Sequence, residues 1–254
     1  MDVLMAWLPT ATAVALLAGI ATIGLAGFRV ARPWAAAGAI ARAIVQLAAL
    51  SLVLAGILHD PLWVTVGLIV MFAAAVFTAA RRARATRRDL VPLALAMLAG
   101  PLAVMAIVFA TGAIEFSPRY ALAIGGIVIG NTMTIAILTQ RIFGSSVRDH
   151  WPEVEGWLAL GATPRESTSL LGRSAIRTAL LPSIDQTRTT GIVVLPGAFV
   201  GAIFAGASPL EAGRFQVVVL ASILAAGVLT AAILIRLTGA VRVQPLPDPE
   251  APKT

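Results

Sequence analysis

The side chains that could carry chemistry in this 254-residue chain are few and scattered. There is no Cys, which excludes disulfides, thiolate metal ligands and a thiol nucleophile. Only two histidines occur, His59 and His150, in loops that the apolar spans place on opposite faces of a membrane. The one Lys among nineteen basic residues is Lys253, next to the C-terminus. A P-loop ATPase needs a Lys directly after a glycine-rich loop to reach the phosphates, so the chain is no Walker-type ATPase. The twelve carboxylates are Asp2, Asp60, Asp89, Glu115, Asp149, Glu153, Glu155, Glu166, Asp185, Glu211, Asp248 and Glu250. All are expected in loops or at helix ends, which leaves no paired acids for catalysis inside a membrane and no relay for a coupling proton. Six scattered Met and outer carboxylates such as Glu115 and Glu211 do not make a tight metal cage, and metal ligands stay unassigned.

Polar residues with informative spacing fall in two places. The first is Glu153-Val154-Glu155-Gly156-Trp157-Leu158-Ala159-Leu160-Gly161-Ala162-Thr163-Pro164-Arg165-Glu166. Residues 153–160 read as a short helix ended by Gly161. Thr163-Pro164-Arg165-Glu166 reads as a capping box with Pro at the first helical position. A second, amphipathic helix follows, limited by Pro182, with Leu170, Leu171, Ala175 and Leu180 opposing Arg173 and Arg177. Such a helix–turn–helix needs a surface to pack on, either lipid headgroups or a docked partner. The second place is inside apolar stretches. Arg42 and Gln46 share one helix face, and Asn131 sits among Gly125, Gly126 and Gly130. Pro196-Gly197 should kink a helix near mid-span, and Gly197 with Gly201 offers a close-packing face. Arg42, Gln46, Asn131, Asp185, Pro196, Gly197 and Gly201 are the candidate pathway and gating residues.

The elements that must position these residues follow from composition. Hydrophobic residues make up 59% of the chain and charged residues 12%, against about 25% charged in soluble domains. A fully α-helical, polytopic membrane protein is expected. Seven stretches reach spanning length: Leu4–Phe28, Trp34–Leu58, Leu62–Ala80, Leu90–Gly112, Tyr120–Gln140, Gly191–Gly206 and Leu210–Leu237. Asp60-Pro61, Asp89, Ser117-Pro118 and the capping box Ser208-Pro209-Leu210-Glu211 mark helix starts. Sixteen of the nineteen basic residues fall in the first, third and fifth loops and the C-terminal tail, and only Arg119 and Arg214 on the other side. The positive-inside rule then puts the N-terminus outside and the C-terminus inside. The net charge of +7 is an orientation label, and no nucleic-acid partner is implied. The first span follows Met1-Asp2-Val3 with nothing basic before it and is expected to stay uncleaved. Residues 1–243 form the expected transmembrane domain, with a cytoplasmic loop at 141–190, and the proline-rich 244–254 reads as a disordered tail.

Glu155 followed by Gly161, within Leu160-Gly161-Ala162-Thr163-Pro164, resembles the EAA-type coupling loop of ABC-transporter permeases, whose short helix sits in a cleft of the ATPase subunit. In importers a Leu-Pro follows the Gly closely; here Leu181-Pro182 comes later. The longer run from Arg177 through Asp185, Leu195-Pro196-Gly197 and Gly201-Ala202-Ile203-Phe204-Ala205-Gly206 is similar to the FetB-type iron-export permeases, a family that includes the plant aluminium-tolerance permeases. Gly130-Asn131 and Arg42-Ala43-Ile44-Val45-Gln46-Leu47 share that similarity, which extends over about residues 38–236. The resemblance implies a cell-membrane permease, paired as a homodimer in the bilayer, with ATP and magnesium bound on a separate cytoplasmic ATPase and no cofactor on this chain. It implies ATPase coupling through Glu155, Gly161, Ala162, Thr163, Pro164 and Glu166, and export of a metal such as iron. The alternatives are an importer-type permease for a small solute and a membrane scaffold without a substrate.

Overall fold

The computed structural model describes residues 2–30, 32–57 and 60–245. The expected tail beyond residue 245, His59 and Lys253 lie outside the described residues. The chain falls into two compact units, Met1–His59 and Asp60–Thr254. The first is a helical hairpin of α1 (Asp2–Gly27) and α2 (Ala35–Ile57). Its turn places Arg29 (φ 53°) and Arg32 (φ 63°) in the left-handed region. Arg42 and Gln46 are exposed on α2.

The second unit holds α3 (Pro61–Ala83), α4 (Leu90–Ala110), α5 (Pro118–Asp149), α6 (Trp151–Ala159), α7 (Ser169–Thr189), α8 (Gly197–Phe204) and α9 (Pro209–Thr238). Three helix starts carry the expected caps. Asp60 accepts from the Leu62 amide at 2.8 Å and Ser117 from the Tyr120 amide at 3.3 Å, each with Pro next in sequence. Ser208 and Glu211 close a full capping box on α9. Asp89 differs: its carboxylate turns back to accept from the Thr86 amide and hydroxyl at 3.0 and 2.6 Å, closing the α3–α4 turn instead of capping α4.

Among the described residues six helices, α1 to α5 and α9, are long and apolar enough to cross a membrane. The sixth expected stretch, Gly191–Gly206, is not one spanning helix. Its first part is an extended turn in which Thr190 bridges Val194 and the Gly191 amide donates to the Val194 carbonyl. Only the eight residues of α8 are helical. The cause is local: Gly191 takes φ +84°, and Pro196 lacks an amide hydrogen and holds Leu195 out of helical space. Pro196 is therefore the residue preceding α8, with φ −64° and ψ 139°, and not a mid-helix kink.

Packing directions define the second unit. Leu93 and Met97 cluster with Leu234, while Val104 and Val108 cluster with Ala226, so α4 runs antiparallel to α9. A Cβ on Gly100 would lie 2.5 Å from the Ala226 carbonyl oxygen; only glycine permits this approach of the two backbones. Tyr120 stacks near Phe215, and Phe143 and Ile235 share another cluster, so α5 and α9 are parallel. Leu68 packs at Gly125, and Arg141 Nε donates to the Arg82 carbonyl at 3.0 Å, so α3 is parallel to them. One end of this unit therefore gathers Arg81, Arg82, Arg84, Arg87, Arg88, Arg141, Arg148, Arg165, Arg236 and Arg242, while Arg119 and Arg214 mark the other.

Candidate functional site

The expected 50-residue loop is helical almost throughout. α5 does not stop at Gln140 but continues to Asp149, and only then does the chain turn. His150 makes that corner: its Nδ1 lies 2.9 Å from the Ser146 carbonyl, and its own carbonyl accepts from the Glu153 and Val154 amides. α6 follows, two residues longer at its start than the sequence implies. It is pinned by Val154, which is 1% exposed, and by Trp151, which packs against Phe143, Val147 and Ala175. The rest of α6 is open: Glu155 is exposed, with Trp157 at 51% and Leu160, just past the end of α6, at 83%.

Gly161 ends α6 as expected, at φ +92°. Its amide donates to the Leu158 carbonyl and the Ala162 amide to the Trp157 carbonyl, which is a Schellman closure. Thr163 and Glu166 then form the expected box. The Thr163 amide and hydroxyl both donate to Glu166 Oε2, at 2.8 and 2.7 Å, and the Glu166 amide returns a bond to the Thr163 hydroxyl at 3.3 Å. The Thr163 hydroxyl, and after it the Thr163 amide, hold the Glu166 carboxyl below the ordinary carboxylate range. The box starts a turn over residues 164–168, and α7 itself begins at Ser169.

This turn is fastened to α9. Arg165 Nη2 donates to the Arg236 carbonyl at 2.8 Å, and the buried Thr168 hydroxyl donates to the Gly239 carbonyl. Both acceptors belong to the C-terminal end of α9, whose last carbonyls have no helical partner. Sequence reasoning missed Arg165 and Thr168 as anchors, because a contact across 71 residues leaves no local pattern. It also gave no role to Trp157 and Leu160, although two large apolar side chains on a short charged helix were a readable signal.

α7 is longer than expected. It passes through Pro182 and ends at Thr189. Pro182 is exposed, and Ile184 beyond it still packs on the cluster of Ile135, Leu180 and Ala231. The buried face is Gly172, Ala175, Ala179 and Leu180, whereas Leu170 is 67% exposed. Gly172 meets Ile235 at one level, and Leu180 meets Gly227 at the next, so α7 runs antiparallel to α9 alongside it. Asp185 therefore lies beside the apolar parts of α5 and α9, not in a loop, and pairs with Arg188 at 3.4 Å on the exposed face. Phe199 of α8 approaches Gly213. α7, the extended turn and α8 together return the chain along the length of α9.

Of the other candidates, Asn131 donates to the Ile127 carbonyl of its own helix at 2.8 Å, so its amide nitrogen is engaged within α5 and not across helices. A Cβ on Gly197 or Gly201 would meet nothing within 4 Å among the described residues, so their small face packs on none of them. The structure brings Glu155, Gly161, Ala162, Thr163, Pro164 and Glu166 together in one element, and places Asp185 on the helix that follows.

The chain matches the family model described as "Uncharacterised protein family (UPF0014)" over residues 7–241. It is 39% identical over 184 residues to the UPF0014 membrane protein STAR2 of Oryza sativa subsp. japonica, covering 72% of this chain and 65% of that protein. It is 35% identical over 183 residues to Protein ALUMINUM SENSITIVE 3 of Arabidopsis thaliana, covering 71% and 67%. It is 33% identical over 202 residues to the Probable iron export permease protein FetB of Escherichia coli (strain K12), covering 78% of each. The chain thus spans about two thirds of the length of the two plant relatives. No solved structure matches. With six apolar helices of spanning length and a family model that covers nearly all of them, the chain is a multi-pass membrane protein and belongs to the UPF0014 family.

Proposed function

We propose that the chain is the membrane permease subunit of an ABC-type transporter, docking a separate cytoplasmic ATPase through residues 153–166. The observation that carries this reading is the α6 element. It presents Trp157 and Leu160 to solvent at the arginine-rich end of the second unit, while its own turn is bonded to α9 through Arg165 and Thr168. An apolar face on an otherwise charged surface marks a docking site. The bonds to α9 offer a mechanical route from a docked ATPase to a membrane-crossing helix. The positive-inside rule makes this arginine-rich end cytoplasmic.

The return path through α7 and α8 supports a transport pathway. Asp185 and Arg188 lie beside apolar spans, and ionisable groups there belong on a water-filled or protein-lined face. The turn at residues 190–196 is non-helical and largely exposed, with Ile192 at 87%. Irregular backbone at membrane depth needs protein or water around it. A second copy of the chain meets that need and closes a pathway between the two. Metal export is the substrate reading, supported by the name of the FetB relative.

The test has two arms. Leu160→Glu should abolish co-purification with the ABC ATPase and the stimulation of its ATP turnover by the permease; if both persist, the docking reading is wrong. Cells lacking the gene should accumulate iron when challenged with excess metal. A fall in cell-associated metal would instead indicate import, and no change for any metal would leave a scaffold.

A further inference from the structure

The first half of α7 and the last turns of α9 enclose a half-open cleft of about 340 Å³ that the docking reading leaves unused. Arg165, Arg173 and Arg236 line it, with no carboxylate among the lining residues. Arg165 spends one nitrogen on the Arg236 carbonyl. The guanidiniums of Arg173 and Arg236 have no ion pair or hydrogen bond to a described residue. Three cations sharing a small cleft repel one another, and a bound anion relieves that repulsion. The Ser169 hydroxyl at the start of α7 adds a donor at the positive end of a 21-residue helix.

The rest of the wall is apolar. Ile176 and Ile233 continue the cleft along the two helices toward their buried contacts with α5. Arg236 ends the apolar run of α9, which puts the cleft at headgroup depth. A free phosphate has no use for that apolar wall; a phospholipid has, because its acyl chains begin where its phosphate ends. Basic pockets between membrane helices hold anionic headgroups on these terms.

We propose that this cleft binds the phosphate of an anionic phospholipid, with Arg173 and Arg236 as the primary contacts and Arg165 closing over it. Because Arg165 belongs to the turn after α6, the bound lipid ties that turn to α9. The site does not depend on ATPase docking and can be tested without it.

The experiment is native mass spectrometry of the full-length protein released from phosphatidylglycerol or phosphatidylcholine nanodiscs. Wild type should retain one phosphatidylglycerol against equal collision energy and no phosphatidylcholine. Arg173→Gln with Arg236→Gln should lower retention about 30-fold, at roughly five-fold for each positive charge near an anionic lipid. Arg173→Lys with Arg236→Lys should keep most of it, which separates lost binding from lost folding. Arg87→Gln with Arg88→Gln should change nothing. Equal loss in that control would show general surface charge, and displacement by millimolar inorganic phosphate would show a soluble-anion site; either overturns the proposal, as does equal retention of phosphatidylcholine.

Discussion

Gly161 does its work through backbone alone. Its φ of +92° is open to glycine and strained for other residues, and no described residue beyond its chain neighbours lies within 4 Å of where a Cβ would stand. Gly161→Val should therefore cost about 1–2 kcal/mol of local turn stability without a steric clash. ATPase stimulation should fall while expression and oligomeric state hold, measured by turnover of the purified complex. Thr168 is the opposite case, a buried donor on a distant carbonyl. Thr168→Val leaves the Gly239 oxygen without that bond, and about 1–3 kcal/mol should be lost, read as a lowered Tm. Glu166 adds a pH dependence. Its carboxyl is held below the ordinary value in the folded protein by Thr163. The capping contribution is therefore present above the usual carboxylate range and lost as pH falls through the folded value. The gap in Thr163 amide protection between wild type and Glu166→Gln should be full at neutral pH and close in acid.

Most helix caps were legible at the scale of elements, and long-range fastening was not. Ser208-Pro209-Leu210-Glu211 and Ser117-Pro118 announce helix starts because a cap satisfies amides a few residues away. The six apolar spans follow from length and composition. The misread parts are those where local signals compete. Pro182 reads as a stop, yet α7 continues because one lost amide bond is offset by contacts of Ile184 with α5 and α9. Gly191 and Pro196 lie in a stretch apolar enough to span, and their backbone preferences overrule its hydropathy. Asp185 reads as a loop residue for a related reason, since the polar face of α7 masks a helix packed against spans. The α4–α9 contact is invisible in sequence, though Gly100 controls it. Gly100→Ala drives a methyl to within 2.5 Å of the Ala226 carbonyl. The two helices must part, and overpacking of this kind costs about 1–3 kcal/mol; thermal unfolding in detergent should show it.

For the whole molecule, the proposed pairing of two copies places their contact at the exposed turn at residues 190–196. The chain has no Cys, so a single introduced one reports cleanly. Ile192→Cys should form a disulfide-linked dimer in membranes on mild oxidation, whereas Leu170→Cys, near the opposite end of α7, should not. A purely monomeric product from Ile192→Cys would remove the second copy from that face. Pro196→Ala should reduce transport more than membrane insertion, because it loosens the turn before α8 without touching an apolar span.

The broken return path also dictates an order of assembly during synthesis. α8, with eight residues, is about 12 Å long and cannot cross a bilayer. α7 carries Arg173, Arg177, Asp185 and Arg188, and each such group costs about 2.5–3.5 kcal/mol at the centre of an inserting helix. Neither helix can partition into lipid on its own as it leaves the ribosome. With the arginine-rich end cytoplasmic, as the positive-inside rule proposes, the segment after α5 is expected to stay on that side until α9 emerges and supplies the surface along which α7 and α8 lie. A reporter fused after Ala207 in a chain truncated there should remain cytoplasmic, while the same reporter inserted at Ala207 of the full-length chain should be translocated. The last helix made would then decide where the segment between α6 and α9 resides.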